Sequence, residues 1–204
     1  MTTPGAVPKQ ALPPADTDYF SLQLYVRVLA GSIAGVAGGL AMLATESGIY
    51  MLLGQSPLVP IRLVAVTLMG DSALLPSSVF WPILTGILVN AAMSAFFGGV
   101  FSTLLPPVEH RRSDVLWASL FSIAVALVMW FLVLPVGLNI ALLVRMPLEV
   151  FMLGHVAFGC VLGLLLPGIE KRLMKREFED RAPNIHMPDA TETEEDVSAR
   201  FRAG

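Results

Sequence analysis

Few residues in this chain carry groups that could do chemistry, and His155 is the only histidine within a long apolar segment. As an axial ligand, its imidazole could hold a haem or a chlorophyll-type pigment, with Gly159 one helical turn away leaving room for the macrocycle. The more common role is a hydrogen bond to a neighbouring helix. We expect that structural role, with the cofactor as the alternative, and predict no other cofactor.

Glu46 lies about two-thirds along the first apolar segment. A charged residue inside a membrane span is a functional hypothesis by default. Glu46 could bind a proton or a cation, with Asn90 of the next apolar segment as its companion. We expect instead that the long helix brings Glu46 to the outer headgroups, or that it pairs with Arg62 or Arg145.

Arg145 and Glu149 are four residues apart, within reach of an ion pair on one helix, although Pro147 stands between them. We expect a self-neutralising pair at the membrane interface, and the alternative is a contact with an anion or substrate at the outer mouth. No catalytic triad, phosphate loop or cluster of metal ligands is recognisable. The sequence therefore predicts neither catalytic residues nor a metal site.

The composition indicates the setting in which these residues act. Of 204 residues, 55% are hydrophobic and 14% are charged, and the mean hydropathy is +0.71. Soluble proteins carry about 25% charged residues. Only ten charged residues fall between Phe20 and Pro167. The sequence predicts an integral membrane protein with polar ends, and its net charge of −3 argues against nucleic acid as a partner.

Four segments are long enough to cross about 30 Å of hydrocarbon as helices. They cover about residues 25–53, 81–105, 115–134 and 150–166, and they end at Gly54, Pro106, Pro135 and Pro167. Two shorter apolar pieces, 58–70 and 139–147, are interpreted as interfacial or re-entrant helices. This divides the chain into a polar N-terminal segment, a membrane domain and a charged cytoplasmic tail, at residues 1–19, 20–169 and 170–204.

The second and fourth segments share a pattern when each is aligned on its final proline. Ser94, Gly98 and Ser102 fall in phase with His155, Gly159 and Gly163. The chain is therefore interpreted as two copies of a helix, a short apolar piece and a helix. The predicted fold is an all-α polytopic membrane protein whose four transmembrane helices form two parallel helix-hairpin repeats, with two additional short helices.

Small residues four apart predict the faces on which the helices pack, because small residues let backbones approach closely in lipid. Three segments carry such a stripe, composed of Gly31, Gly35 and Gly39, of Ser94, Gly98 and Ser102, and of Gly159 and Gly163. The third segment carries bulky side chains on nearly every side of the predicted helix. We expect it to lack a tight-packing face and to turn towards lipid or a partner.

Basic residues near the ends of the spans indicate the orientation. Eight lie on the side that holds both termini, and only Arg62 and Arg145 lie on the other. We expect a multi-pass protein of the cell inner (plasma) membrane with both termini cytoplasmic.

Three features together resemble a family of small bacterial membrane proteins. They are the steps Ala30-Gly31 and Ala34-Gly35, the step Leu134-Pro135, and the run from Gly154-His155 to Gly159 and Gly163. The pattern is similar to the four-helix inner-membrane proteins of unknown function that include the YagU-like group. The resemblance covers about residues 30–167 and implies the four-helix fold, without any chemistry.

The absence of a recognisable reactive constellation favours a structural role. We expect a non-catalytic accessory subunit that stabilises a larger membrane complex of the respiratory or photosynthetic electron-transport type. Its partners would be other membrane subunits and lipids. The alternatives are a small channel or transporter, and a haem- or chlorophyll-binding protein that uses His155.

Overall fold

The computed structural model describes residues 17–77, 79–104, 111–138 and 140–181. Six α-helices account for most of this part of the chain: α1 Thr17–Leu52, α2 Val59–Met69, α3 Phe80–Leu104, α4 Arg111–Val128, α5 Ile140–Arg145 and α6 Leu148–Arg181. A 3-10 turn, Gly70–Leu74, follows α2, and a π-helical segment, Met129–Leu138, continues α4. The described residues contain no β-strand.

Four of these helical stretches are long and apolar enough to cross a membrane, which confirms the prediction of an all-α polytopic membrane protein. They are Ser21–Leu52, Phe80–Leu104, Asp114–Val136 and Leu148–Glu177. The two short apolar pieces are also helical, as α2 and α5. Each of the four predicted spans overlaps one of the four stretches, and the predicted end of the second span, at 105, lies outside the described residues.

Two of the expected helix ends are wrong, because neither Pro135 nor Pro167 ends its helix. Pro167 lies inside α6, which continues to Arg181, and Pro135 lies inside the π-helical segment. Proline removes one backbone donor, but neighbouring helices and local changes of helical pitch accommodate that loss within membranes. Beyond Pro167, Ile169 and Leu173 pack against the core and stabilise the extension of α6.

α1 and α3 pack through the two predicted stripes of small residues. The helices run antiparallel, since Gly31 lies opposite Ser102, Gly35 opposite Gly98 and Gly39 opposite Ser94. A Cβ built on Gly98 would lie 2.7 Å from the Cα of Gly35. The two backbones are therefore in direct contact, and neither stripe tolerates a larger side chain.

α4 and α6 form a second antiparallel pair, in which Gly159 lies opposite Ser119 and Gly163 opposite Val115. A Cβ built on Gly159 would lie 2.5 Å from the Cα of Ser119. The expectation that the third span lacks a tight-packing face is thus wrong. One side of α4 consists of small, mostly buried residues, and its bulky side chains occupy the opposite side: Ala118, Ser119, Ser122 and Ala126 form the small side.

The two pairs are joined along α1 and α6, which are also antiparallel. Gly38 lies against Phe158, and Glu46 lies against Gly154. Near the opposite end, Arg27 on α1 forms an ion pair of 3.7 Å with Glu170 on α6. If the two hairpins were related by an exact two-fold axis, the contact between α1 and α6 would be repeated between α3 and α4. α3 and α4 are instead not closely packed, although the rings of Phe101 and Phe121 meet at 5.3 Å.

Candidate functional site

The gap between α3 and α4 contains a cavity of about 240 Å³, inside the membrane-spanning part of the bundle. Twelve of its seventeen lining residues are apolar, and they come from all six helices and the π-helical segment: Met42, Val64, Val89, Met93, Phe97, Val125, Met129, Val133, Leu134, Leu142, Phe151 and Phe158. The remaining five are polar: Thr67, Asn90, Ser94, Ser122 and His155. A mostly apolar pocket with a few convergent polar groups is the usual form of a ligand site.

Two residues that line the cavity are also exposed. One of them, Met93, is 43% exposed and lies near the middle of α3. Thr67, near the end of α2, is also exposed. Because Met93 is about half-way along a helix that spans the membrane, a molecule would reach the cavity from the lipid phase.

The π-helical segment forms part of the wall, through Met129, Val133 and Leu134. π-Helical turns are rare and occur frequently at functional sites. Pro135 lacks a backbone N–H and cannot complete the α-helical hydrogen-bond pattern. The α-helical pattern is therefore interrupted at Pro135, which lies within the π-helical segment.

His155 is 6% exposed and lies where α6 faces the cavity. Its Nδ1 is 2.9 Å from the carbonyl oxygen of Phe151, one turn earlier in α6. The hydroxyl of Ser122 on α4 donates a 2.6 Å hydrogen bond to the carbonyl oxygen of His155. The expected bond between the imidazole and a neighbouring helix is therefore not formed among the described residues, because the ring bonds its own helix.

Asn90 and Ser94 bring polar groups from α3 to the same cavity. The Asn90 side chain donates a 3.0 Å hydrogen bond through Nδ2 to the carbonyl of Gly39 on α1. This bond ties Asn90 to the packing stripe of α1, and Asn90 is not the companion of Glu46 that the sequence suggested. Glu46 is seven residues, or about two helical turns, beyond Gly39.

Glu46 is 1% exposed, so the expectation that it reaches the headgroups is wrong. A Cβ built on Gly154 would lie 2.6 Å from Oε1 of Glu46, which places the carboxyl group directly over the α6 backbone. Among the described residues, Glu46 forms no ion pair with Arg62 or Arg145. The lack of a side chain at Gly154 provides the space that holds Glu46 inside the bundle.

Arg62 and Arg145 lie in the two short helices, α2 and α5. The guanidinium of Arg62 donates hydrogen bonds to the carbonyls of Ala73, at 2.8 Å from Nε, and of Leu75, at 2.6 Å from Nη2. Arg145 is exposed and ends α5, while Glu149 lies in the first turn of α6, so the two residues are on separate helices with Pro147 between them. The expected Arg145–Glu149 pair is absent from the described residues.

The surroundings of His155 do not fit a haem or a chlorophyll-type pigment. The cavity is smaller than the roughly 300–1,000 Å³ of sites for drug-sized molecules, and a tetrapyrrole is larger still. The space over Gly159, which the sequence suggested for the macrocycle, is filled by the backbone of α4 at Ser119. His110 and His186, the other histidines, lie outside the described residues. No group of three potential metal ligands occurs among the described residues.

The contribution of α4 to this site was not predicted from the sequence. Ser122 lies among bulky residues in the sequence, although Ala118, Ser122 and Ala126 follow the same four-residue spacing as the glycine stripes. That spacing was a usable signal for the packed face of α4. No comparable signal marks Met93 or Phe151, whose positions in the cavity wall depend on how the helices diverge.

Compared with known proteins, the chain matches no protein-family model, no curated protein and no solved structure.

Proposed function

We propose that this protein binds a small lipophilic molecule inside the membrane, in the cavity between α3 and α4. The observation that carries the proposal is the cavity itself, which is mostly apolar, is edged by a few buried polar groups and has the exposed Met93 in its wall near the middle of α3. An apolar cavity of about 150 Å³ accommodates benzene in a protein interior. A volume of about 240 Å³ suits a molecule of one ring with a short substituent.

The packing supports a binding role because it holds the cavity open. Backbone contacts at Gly35–Gly98 and at Gly159–Ser119 fix α3 and α4 on separate partner helices. Since protein interiors are close-packed, a space of this size is retained only where such rigid contacts prevent collapse. The site is preformed, which lowers the entropic cost of binding.

A binding assay with fluorobenzene tests the proposal. We expect a bound ¹⁹F NMR signal for the protein in lipid nanodiscs, and its loss in Val125→Phe, which fills the cavity from α4. Ala124→Phe is the matched control, because Ala124 is the exposed neighbour of Val125 on the same helix. Val89→Phe, with exposed Leu88→Phe as its control, repeats the test from α3. No bound signal in the wild type would overturn the proposal.

A second candidate function is that of a non-catalytic accessory subunit of a larger membrane complex, of the electron-transport type. The third span, Asp114–Val136, favours this role. Of its most apolar 18 residues, 17% are buried, compared with 50% for the span formed by α6. Trp117, Phe131 and Leu132 are among the exposed side chains of the third span. Native mass measurement after gentle extraction tests this candidate, and a lone species of 21.9 kDa would count against it.

The cytoplasmic location of both termini, in a bacterial inner membrane, is also a proposal. It is supported by the eight basic residues that flank the spans on the side of the termini, against two on the other side. Fusions of a fluorescent protein and of alkaline phosphatase to the C-terminus report the side directly. An active C-terminal phosphatase fusion would contradict the proposed orientation and place the C-terminus on the opposite side of the membrane.

A further inference from the structure

The hydrogen-bonding state of His155 follows from its contact with Phe151. A carbonyl oxygen only accepts hydrogen bonds, so Nδ1 of His155, 2.9 Å from the Phe151 oxygen, carries the hydrogen. An isolated imidazolium buried among apolar side chains would be costly, which favours the neutral ring. In that ring Nε2 has a lone pair and no hydrogen. No described residue donates a hydrogen bond to Nε2.

Ser122 also contributes a hydrogen-bond acceptor to this wall of the cavity. Its hydroxyl hydrogen is used in the bond to the His155 carbonyl, which leaves the lone pairs of Oγ. The wall formed by α4 and α6 therefore offers hydrogen-bond acceptors, through His155 and Ser122, and uses both of their hydrogens internally. A ligand that itself offers only lone pairs would meet a lone pair at Nε2.

Aromatic side chains line the cavity that contains His155. The Phe151 ring lies 4.3 Å from the imidazole ring, and Phe97 and Phe158 line the same cavity. Offset and edge-to-face contacts between aromatic rings add to the gain from apolar burial. Such a lining suits a flat ring better than a flexible chain.

From these contacts we infer that the occupant is a one-ring lipophilic molecule with a hydroxyl group, such as an alkylphenol, whose hydroxyl donates to Nε2 of His155. The inference rests on the proposed function and specifies its ligand class. It distinguishes phenols from hydrocarbons and ethers of equal size, which fill the volume but leave Nε2 without a donor.

Competition against fluorobenzene tests the ligand class with two probes of nearly equal shape, 4-ethylphenol and 4-ethyltoluene. With affinities referred to the probe concentration in the bilayer, we expect the phenol to bind roughly two- to ten-fold more tightly, the effect of one neutral hydrogen bond. His155→Leu should remove this preference, so that the phenol and 4-ethyltoluene compete equally well. Equal affinities in the wild type would overturn the inference and leave the proposed function standing, whereas no binding of any probe would overturn the proposed function.

A spectroscopic measurement decides the inference even if His155→Leu does not fold. Replacing His110 and His186 by asparagine leaves His155 as the sole histidine of the three in the chain. We expect ¹⁵N NMR of the labelled ring to show a protonated Nδ1 and an unprotonated Nε2 whose resonance shifts with 4-ethylphenol but not with 4-ethyltoluene. A protonated Nε2, or an unchanged resonance with saturating phenol, would overturn the inference.

Discussion

The hydroxyl of Tyr50 on α1 donates a 2.8 Å hydrogen bond to the carbonyl oxygen of Arg145, the last residue of α5. Tyr50 is 2% exposed, and its ring belongs to the cluster that packs α1 against α5 and α6. Carbonyls at the end of a helix have no partner within the helix. Tyr50 supplies that partner, so it attaches the short α5 and the start of α6 to the first span.

Tyr50→Phe is expected to destabilise the protein by about 1 kcal/mol, because it removes the donor that bonds the part-buried Arg145 carbonyl while the ring packing is retained. Unfolding by SDS in mixed micelles measures the change. Tyr25→Phe is the matched control, since Tyr25 lies on the same helix and is 62% exposed. Equal stability of the two variants would contradict the role assigned to Tyr50.

Gly98→Ala is expected to cost roughly 2–3 kcal/mol, because the added methyl group would press on the backbone of α1 at Gly35. Gly48→Ala provides the control, since a Cβ at Gly48 meets no atom within 4 Å. In that open helical position alanine should be neutral or stabilising by up to about 1 kcal/mol. The same unfolding assay compares the pair, and a harmless Gly98→Ala would show that α1 and α3 are not in backbone contact.

Gly154→Ala should destabilise the bundle through the side chain of Glu46. The cost, about 1–3 kcal/mol in the wild type, should fall below about 0.5 kcal/mol when Glu46 is replaced by alanine, because the methyl group then occupies the vacated space. A double-mutant cycle measures this coupling. Gly168→Ala, on the same helix but with no atom within 4 Å of its Cβ, should show no coupling to Glu46. Additive effects of Gly154→Ala and Glu46→Ala would place the carboxyl group elsewhere.

A new disulfide can report the register of α4 against α6. Ser119 Oγ lies 3.5 Å from the sulfur of Cys160, the sole cysteine of the chain. Ser119→Cys should therefore crosslink to Cys160 under mild oxidation, since the two side chains are already in contact and a disulfide requires such proximity. Counting free thiols with a maleimide probe measures the reaction. Ala124→Cys, on the exposed side of α4, should keep both thiols free. Persistent thiols in Ser119→Cys would indicate another register.

The sequence by itself determined the membrane setting, the four spans and the packing faces of three of them. A helix has to satisfy its own backbone in lipid, and hydropathy along the chain records where such helices lie. Small residues four apart record where two backbones meet, as Gly35 and Gly98 do. These properties are local, and each can be deduced from one segment of the chain.

Only the tertiary structure decided where Glu46 and His155 lie and whether a cavity exists between α3 and α4. Glu46 lies inside because Gly154 of a distant segment leaves space for it, and no pattern near Glu46 records that glycine as its neighbour. The cavity exists because α3 and α4 are held by different partners and remain apart between Asn90 and Ser122. A space between helices depends on the positions of all of them at once, and so no single stretch of the sequence specifies it.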